Sequence, residues 1–329
     1  MLVFEFKTYG KRQQFNAVNE AIRTVQFIRN KALRFWMDHE KVNKFDLNKY
    51  SAVLAKEFPF CDDLNSMARQ SSAERAWSAI SRFYDNCKKK IPGKKGFPQF
   101  QKDNRSVEYK TSGWKLAADR KSITFTDKQG IGKLKLKGTR DLHFYQIAQI
   151  KRVRLVNRAD GYYVQFCIQV DRSEAIEITG SAIGLDVGLK EFYTDSNGVA
   201  VENPRFLRKG ERRLKKSQRR VSKRVKGSNN RKIARVILGK RHLKISRQRK
   251  DFAVKLALRR HPVQRLCSLR RLEDQEYGEE SLRKRNQLTT HLGICSEFGW
   301  NISVKYSEEL RLPFRLMEQA KNALVAELL

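Results

Sequence analysis

The sequence predicts a multidomain α+β protein, in which a small β-barrel carries a helical insert and is followed by a partial α/β domain. Three observations support this fold class. Residues 1–9 alternate like a strand, residues 13–90 show helical periodicity, and short strand patterns resume after residue 91. A chain of 329 residues is also long enough for two or three domains with a sizeable core.

Two helical stretches make up most of the insert. From Phe15 to Ala32, apolar residues recur at three- and four-residue steps, and a second stretch from Ser71 to Cys87 carries one apolar stripe. The aromatic residues of that stripe, Trp77 and Tyr84, are interpreted as core residues rather than as platforms for nucleic-acid bases. The insert would then interrupt the barrel after its first strand.

Four strands are predicted between the insert and residue 170. They are Ser122–Thr126, Lys133–Lys137, Gln149–Val156 and Tyr162–Val170. An Asp160-Gly161 turn joins the last two as a hairpin. Because the strands are short and carry basic residues on their solvent face, they favour a small barrel.

The net charge limits the function classes. The chain has 70 Lys and Arg against 35 Asp and Glu, a formal charge of +35. This surplus indicates a polyanionic partner, foremost nucleic acid, because contacts to phosphates release condensed counterions. A membrane surface is the weaker alternative, since no apolar run approaches the roughly 18 residues of a spanning helix, and the N-terminus shows no signal-peptide pattern.

The cysteines predict neither a zinc site nor a disulfide framework. They are odd in number, widely scattered, and none forms a C-x-x-C pair. We interpret them as reduced thiols of a cytoplasmic protein. They are Cys61, Cys87, Cys167, Cys267 and Cys295.

The most informative strand is Ala182–Gly188. Its apolar residues share one face, and Asp186 lies between two glycines on the other. The open space around this carboxylate would suit a metal ion and a phosphate. An Asn197-Gly198 pair then predicts a tight turn into another strand. A surface hairpin with one solvated Asp is the alternative interpretation.

Residues 205–250 are the most basic segment, with 21 Lys and Arg and a single acidic residue, Glu211. Two antiparallel helices with one thin buried stripe and wide cationic faces fit the pattern, and a nucleic-acid backbone would neutralise them. The basic loop after Lys88–Lys90 is either a solvated linker or a second phosphate contact. The predicted nucleic-acid-binding residues are Lys94, Lys95, Lys209, Arg212, Arg213, Lys216, Arg219, Arg220, Lys223, Arg224, Arg247 and Arg249.

Several motifs together resemble one known family. These are the G-x-D-x-G strand around Asp186, the basic helical pair, the run Arg247–Phe252, and Lys94–Phe100, which resembles the family segment K-K-G-F-P-x-F. The chain is similar to the TnpB (OrfB) proteins over about residues 1–257. These proteins are insertion-sequence-encoded, RNA-guided DNA endonucleases related to type V CRISPR effectors and are often labelled transposases.

The resemblance implies a domain order, a site and partners. A wedge barrel (1–12 and 91–179), a helical recognition insert (13–90) and a partial RuvC/RNase H-like nuclease domain (180–258) are expected. Asp186 aligns with the first catalytic, metal-binding Asp of that domain. In the family, a later Glu and a second Asp complete a site for two divalent ions such as Mg²⁺. The implied partners are a guide RNA and a target DNA.

The family pattern stops after Ala257. The expected strand with a Glu, the four-cysteine module and the final Asp are missing, and residues 259–329 are unrecognised. Codons can be chosen for Leu269–Gly278 so that a one-nucleotide shift encodes Y-E-D-L-R-I-K-N-M, which matches the family's second carboxylate motif. We hypothesise a frameshift near residue 257. The acidic residues between Glu273 and Glu280 are interpreted as a solvated segment, not as replacement ligands.

The sequence therefore predicts a nucleic-acid-binding protein whose nuclease activity is impaired, because one Asp cannot hold a Mg²⁺ pair. Two alternatives are an active Mg²⁺-dependent endonuclease, in which Asp186 finds partners in the tail, and a guide-bound repressor that occupies DNA without cutting it. A half-built nuclease sheet is also expected to leave its central strand with an unpaired edge, which promotes aggregation.

Overall fold

A computed structural model of the protein describes residues 1–90, 93–170, 182–186, 188, 190–260, 266–270 and 301–305. Contacts between residues divide the chain into two units, Met1–Glu174 and Ala175–Leu329. Among the described residues, no helix has both the length and the apolar character needed to span a membrane.

The first unit begins with strand β1 (Leu2–Tyr9), which four helices separate from the next strand. The helices are α1 (Arg12–Asp38), α2 (Lys44–Glu57), α3 (Pro59–Asp62) and α4 (Ser66–Lys88). Helices α1 and α4 confirm the two predicted helical stretches and extend both. The periodicity of α2 was missed because its buried face contains Ser51 between Leu47 and Leu54.

Six further strands complete a seven-stranded antiparallel sheet in the first unit. They are β2 (Ser106–Tyr109), β3 (Trp114–Leu116), β4 (Ser122–Phe125), β5 (Gly132–Lys137), β6 (Ile150–Arg158) and β7 (Gly161–Ile168). The order is β2-β6-β7-β1-β5-β4-β3, so β1 lies in the middle of a sheet whose other strands follow the helices. The predicted hairpin at Asp160-Gly161 is confirmed, with β6 and β7 paired along their length.

The expectation of a barrel is wrong, because the seven-stranded sheet is open. Strands β2 and β3 form its two edges, and no backbone pairing joins them in the part of the chain that the structure describes. Both edge strands are short, and side-chain contacts link the end of β2 to β4 and to the start of β3. The ring of Tyr109 lies 5.0 Å from that of Phe125, and the Trp114 indole donates a hydrogen bond to the carbonyl of Lys110 at 2.8 Å.

The core of the first unit lies between α1 and the sheet. Val18, Val25 and Ile28 of α1 are buried with Phe6 of β1 and Phe166 of β7. Each such side chain stabilises the fold by about 1.5–3 kcal/mol relative to its exposed state. A second buried cluster joins α1, α2 and α4. The helices are therefore fixed to the sheet by a continuous apolar layer.

The second unit contains a five-stranded sheet and two helices. Its elements are β8 (Ala182–Asp186), β9 (Glu191–Asp195), β10 (Ala200–Glu202), α5 (Phe206–Ser222), α6 (Asn229–Arg260), β11 (Leu266–Arg270) and β12 (Asn301–Lys305). The strand order is β10-β9-β8-β11-β12. Strands β8, β9 and β10 are antiparallel, whereas β11 is parallel to both β8 and β12.

The pairing of β8 confirms one expectation and overturns another. The strand around Asp186 is present, and the predicted turn at Asn197-Gly198 lies between β9 and β10, with Gly198 at φ +79°. The expected unpaired edge of the central strand is wrong, because β11 pairs with β8 over its full length. Main-chain groups alone make such a ladder, so residues outside the family pattern can form it.

Candidate nucleic-acid interface

Helices α5 and α6 pack against each other as an antiparallel pair. Near the turn that joins them, Arg231 Nη1 donates to the carbonyls of Val221 at 3.0 Å and Arg224 at 2.7 Å. Farther along, Arg241 Nη1 donates to the carbonyl of Arg213 and to Ser217 Oγ. The prediction of two antiparallel helices in this segment is confirmed.

The buried stripe between the two helices is thin, as predicted. Leu214 and Ser217 of α5 and Ala234 of α6 are buried. A Cβ at Gly210 would lie 2.7 Å from Ile245 Cδ1, so the missing side chain lets the helices approach closely. The exposed surface of both helices is mostly polar and charged, although Leu207, Ile233 and Val236 are also exposed.

The outward side of this pair is a cationic surface, which we call the basic helical surface. On α5 and the turn after it, all eight predicted residues are exposed: Lys209, Arg212, Arg213, Lys216, Arg219, Arg220, Lys223 and Arg224. On α6, Arg247 is exposed and Arg249 is half-buried. The single acid of the segment, Glu211, forms an ion pair with Lys215 at 2.8 Å. The structure therefore brings these ten predicted cations together on one helix pair and the turn between its helices.

Two arginines of α6 have a role that sequence reasoning missed. Arg231 and Arg241 use their guanidinium groups to hold α5 through its main chain. In the sequence they are indistinguishable from the cations that face solvent. An aromatic contact also joins α6 to the sheet, because the Phe252 ring lies 5.1 Å from that of Phe192 on β9. The basic helical surface is thus attached to the strands that carry Asp186.

Asp186 is exposed and is the last residue of β8. Its register partners are Thr194 on β9 and Arg270 on β11. Hard divalent cations need two or more carboxylates to bind in place. The described residues contain no group of three or more His, Cys, Asp or Glu that could hold a metal ion. Within this part of the chain, the residues therefore do not fit a two-metal site.

The glycine after Asp186 has a structural role besides leaving space. A Cβ on Gly188 would lie 3.3 Å from the main-chain oxygen of Glu191. This close approach favours glycine in the connection between β8 and β9 whatever the chemistry at Asp186. The acidic residues Glu273–Glu280, which we interpreted as a solvated segment, lie outside the described residues.

The second predicted contact region, residues 93–101, packs across α1 and α4, and we call this segment the strap. The Phe97 ring lies 5.3 Å from that of Phe83 and 5.8 Å from that of Trp36. Asn86 donates to the carbonyl of Lys95 at 3.1 Å, and Arg29 donates to the carbonyl of Gln99 at 3.2 Å. The segment is therefore packed on the helices and is not a free linker.

The lysines of this strap and the nearby aromatic residues occupy mixed environments. Lys94 is exposed and Lys95 is half-buried. Trp77 packs against the second cluster, as predicted. Tyr84 is half-exposed, and its hydroxyl accepts a hydrogen bond from the Trp36 indole at 3.1 Å. The core interpretation is thus confirmed for Trp77 and only partly for Tyr84.

Comparison with protein families defines the class of this site. The family model OrfB_IS605, described as a probable transposase, matches residues 165–266. This range includes β8, the basic helical surface and the first residue of β11. The match continues past Ala257, where the sequence motifs led us to expect the resemblance to end. The cationic helices and the Asp186 strand are therefore similar to part of a probable transposase.

Two curated relatives carry the name "Putative RNA-guided DNA endonuclease". The protein from Streptomyces pristinaespiralis is 27% identical over 269 residues, which cover 78% of this chain and 63% of the relative. The protein from Escherichia coli, whose name adds InsQ, is 24% identical over 310 residues and covers 92% of this chain and 71% of the relative. The chain thus spans less than two thirds of the first relative.

A solved structure supports the fold. The chain is similar in fold to a chain of the "Cryo-EM structure of the Cas12f1-sgRNA-target DNA complex", with a TM-score of 0.55 and 11% identity. The match covers 95% of this chain and 79% of that chain. At this identity the likeness shows a mixed helix and sheet fold. The chain is thus similar to a probable transposase over residues 165–266 and to two relatives named as putative RNA-guided DNA endonucleases.

Proposed function

We propose that this protein binds a guide RNA and a target DNA, as a member of a transposon-associated family of RNA-guided DNA endonucleases. The basic helical surface carries the proposal, because its exposed cations lie on one helix pair with Glu211 already neutralised by Lys215. Phosphate backbones supply the opposing charge. The proposal includes a cytoplasmic location, as expected for a protein with reduced thiols and nucleic-acid partners.

Binding is tested on the purified full-length protein. We expect it to co-purify with RNA, which the ratio of absorbance at two ultraviolet wavelengths reports. After the RNA is removed, fluorescence anisotropy should show binding to single-stranded RNA and to duplex DNA at low salt, with affinity that falls steeply as salt rises. A protein that carries no RNA and binds neither nucleic acid at low salt contradicts the proposal.

We further propose that residues 180–258 form a partial RuvC-like domain whose nuclease activity is impaired. The five-stranded mixed sheet with Asp186 at the end of its central strand supports such a domain. The register partners Thr194 and Arg270 add no carboxylate to it. Asp186 is then one corner of a site that would hold Mg²⁺ if further carboxylates joined it.

A cleavage assay separates this proposal from the two alternatives. The protein, a guide RNA, duplex DNA and Mg²⁺ are combined, and the products are compared for the wild type, Asp186→Ala and a control, Asp251→Ala. Asp251 is an exposed carboxylate of the same unit, paired with Lys255 at 2.8 Å. We expect no cutting by any variant. Cutting that requires both Mg²⁺ and Asp186 contradicts impairment and supports an active endonuclease. Guide-dependent DNA binding without cutting supports a repressor.

We also propose that a frameshift separates the tail from the family sequence. The nucleotide sequence of the gene tests this directly, because the shifted frame should encode the Y-E-D-L motif after codon 257. The alignment with the Escherichia coli relative covers 92% of the chain and therefore continues beyond residue 266. The frameshift requires that identity in this last part be no better than chance. If the shifted frame lacks the motif, the proposal is wrong.

A further inference from the structure

A group of arginines surrounds one buried carboxylate in the first unit, outside both predicted contact regions. Glu108 of β2 has 3% of its side chain exposed. It accepts hydrogen bonds from Arg152 Nη1 at 2.8 Å, from Arg154 Nε, and from Ser71 Oγ at 2.8 Å. Arg75 of α4 places Nη2 at 3.9 Å from the same carboxylate. Helix α4 and strands β2 and β6 thus meet at this cluster.

The guanidinium groups of Arg75 and Arg152 share the one negative charge of Glu108, so positive charge exceeds negative charge even when Arg154 is left aside. Burial favours the protonated form of Glu108, but Arg154, Arg75 and Ser71 outweigh it and lower the pKa of this carboxyl to about 2. The carboxylate is therefore fully ionised at neutral pH. Burial also lowers the pKa of Arg75; Glu108 raises it, and the charges of Arg154, Arg152 and Arg29 lower it.

The cluster is open to solvent on one side. The side chain of Arg152 is 41% exposed and that of Arg75 is 27% exposed. A guanidinium carries five N–H donors in a planar fork that matches the oxygens of a phosphate. An excess of like charge in a partly desolvated place is costly until an anion offsets it. An anion at this opening would meet two positively charged forks.

The cluster adjoins the strap formed by residues 93–101. Arg29 is close enough to Arg75 to lower its pKa, and it donates to the carbonyl of Gln99 in the strap. Arg29 therefore connects the strap at Gln99 with the arginines at the sheet. A nucleic-acid strand that contacts the strap would pass beside the cluster.

We propose that Arg75 and Arg152 form a phosphate-binding site that holds one phosphodiester group of a bound nucleic-acid strand. The site rests on the proposed function for the identity of its ligand. Glu108 acts as a positioning residue for Arg152, which donates to it at 2.8 Å. Ser106 holds Arg75, whose Nη1 donates to the Ser106 carbonyl at 3.2 Å and to its Oγ at 3.3 Å. RNA and DNA share the phosphodiester chemistry, so both are used in the test.

The test compares Arg152→Gln with Lys151→Gln in the full-length protein. Gln at residue 152 can still donate a hydrogen bond to Glu108, so this variant removes mainly the charge. Lys151 is the exposed neighbour on β6 and loses the same charge. Affinity for single-stranded RNA and for duplex DNA is measured by anisotropy over a series of salt concentrations. We expect Arg152→Gln to weaken binding to at least one of them about tenfold and to reduce the salt slope by about 1, with a smaller effect of Lys151→Gln.

A second arm uses inorganic phosphate and needs no nucleic acid. Phosphate, compared with chloride at equal ionic strength, should raise the melting temperature of the wild type and of Lys151→Gln more than that of Arg152→Gln. Equal affinities of the two variants for RNA and DNA, or equal effects of phosphate on their melting temperatures, overturn the site. A wild type that binds neither nucleic acid, but keeps the phosphate difference, supports the site and contradicts the proposed function. Thermal unfolding without phosphate identifies a variant that fails to fold.

Discussion

The basic helical surface makes a quantitative prediction about salt dependence. Arg213, Lys216 and Arg220 are exposed on α5 at spacings of three and four residues, so they share one side of the helix. With a rise of about 1.5 Å per residue, the exposed cations from Lys209 to Lys223 extend over about 21 Å. A duplex presents a phosphate about every 1.7 Å of axis, so phosphates are available along the whole surface.

The perturbation is the triple variant Arg213→Gln, Lys216→Gln and Arg220→Gln. Each phosphate contact contributes about 0.9 to the slope of log affinity against log salt for duplex DNA and about 0.7 for a single strand. If all three cations contact phosphates, the slope falls by about 2.7 for duplex DNA and about 2.1 for RNA. Gln has a helix propensity close to that of Lys and Arg, so α5 should remain folded.

The assay is fluorescence anisotropy of labelled RNA and duplex DNA at several salt concentrations. The matched control removes three exposed lysines from the first unit, as Lys115→Gln, Lys121→Gln and Lys133→Gln. Both triple variants have the same net charge. The reasoning requires a larger loss of slope in the α5 variant. An equal loss in both variants would show that overall charge, and not the basic helical surface, sets the affinity.

Three further predictions concern the structures that hold these surfaces. The pKa of Glu108 is lowered to about 2 from 4.5, so the ionised carboxylate contributes about 3 kcal/mol to the free energy of unfolding above pH 4.5, and this contribution is lost as the pH falls towards 2. In urea unfolding, the free energy of unfolding of Glu108→Gln should therefore depend less on pH in this range than that of the wild type. The same pH dependence in both proteins contradicts this prediction. Arg241→Gln removes hydrogen bonds to α5 worth about 1.5–3 kcal/mol together, so amide exchange in α5 should accelerate more than in Lys240→Gln. Phe97→Ala removes ring contacts with Trp36 and Phe83, so the rate of amide hydrogen exchange in residues 93–101 should rise about tenfold or more. Phe100→Ala is the control. Equal exchange rates in the two variants would show that the Phe97 ring does not hold the strap.

Local periodicity predicted most helices and strands, and it failed where contacts distant in sequence decide. The alternation of Lys133–Lys137 is that of β5, with Leu134 buried. Closure of a barrel depends on whether β2 and β3 pair with each other. The sequence pattern within each of these short strands does not indicate which strand it will pair with. For the same reason α2 was missed, since Ser51 is buried there between apolar residues.

Sequence predicted where the cations of the candidate interface lie, but not what each of them does. Arg213 and Arg241 look alike in a basic segment. In the structure, the side chain of Arg213 is exposed, whereas the guanidinium of Arg241 donates a hydrogen bond to the main-chain carbonyl of Arg213. The arginines around Glu108 were overlooked because Arg75 and Arg152 are distant in sequence and meet only when α4 packs against the sheet. A buried Glu within a basic strand region is the one sequence signal that could have indicated them.

The pairing of β11 with β8 shows that a strand ladder makes weaker demands on sequence than a metal site does. A parallel ladder is built from main-chain N–H and C=O groups, so it requires a sequence that tolerates the extended conformation and little more. Leu266–Arg270 meets that requirement and fills the position beside the central strand. A metal site requires a carboxylate at a particular register, and the residue in register with Asp186 is Arg270, which is in turn paired with Lys305 on β12. The pairing of β11 with β8 therefore does not by itself indicate whether this sheet can hold a metal ion.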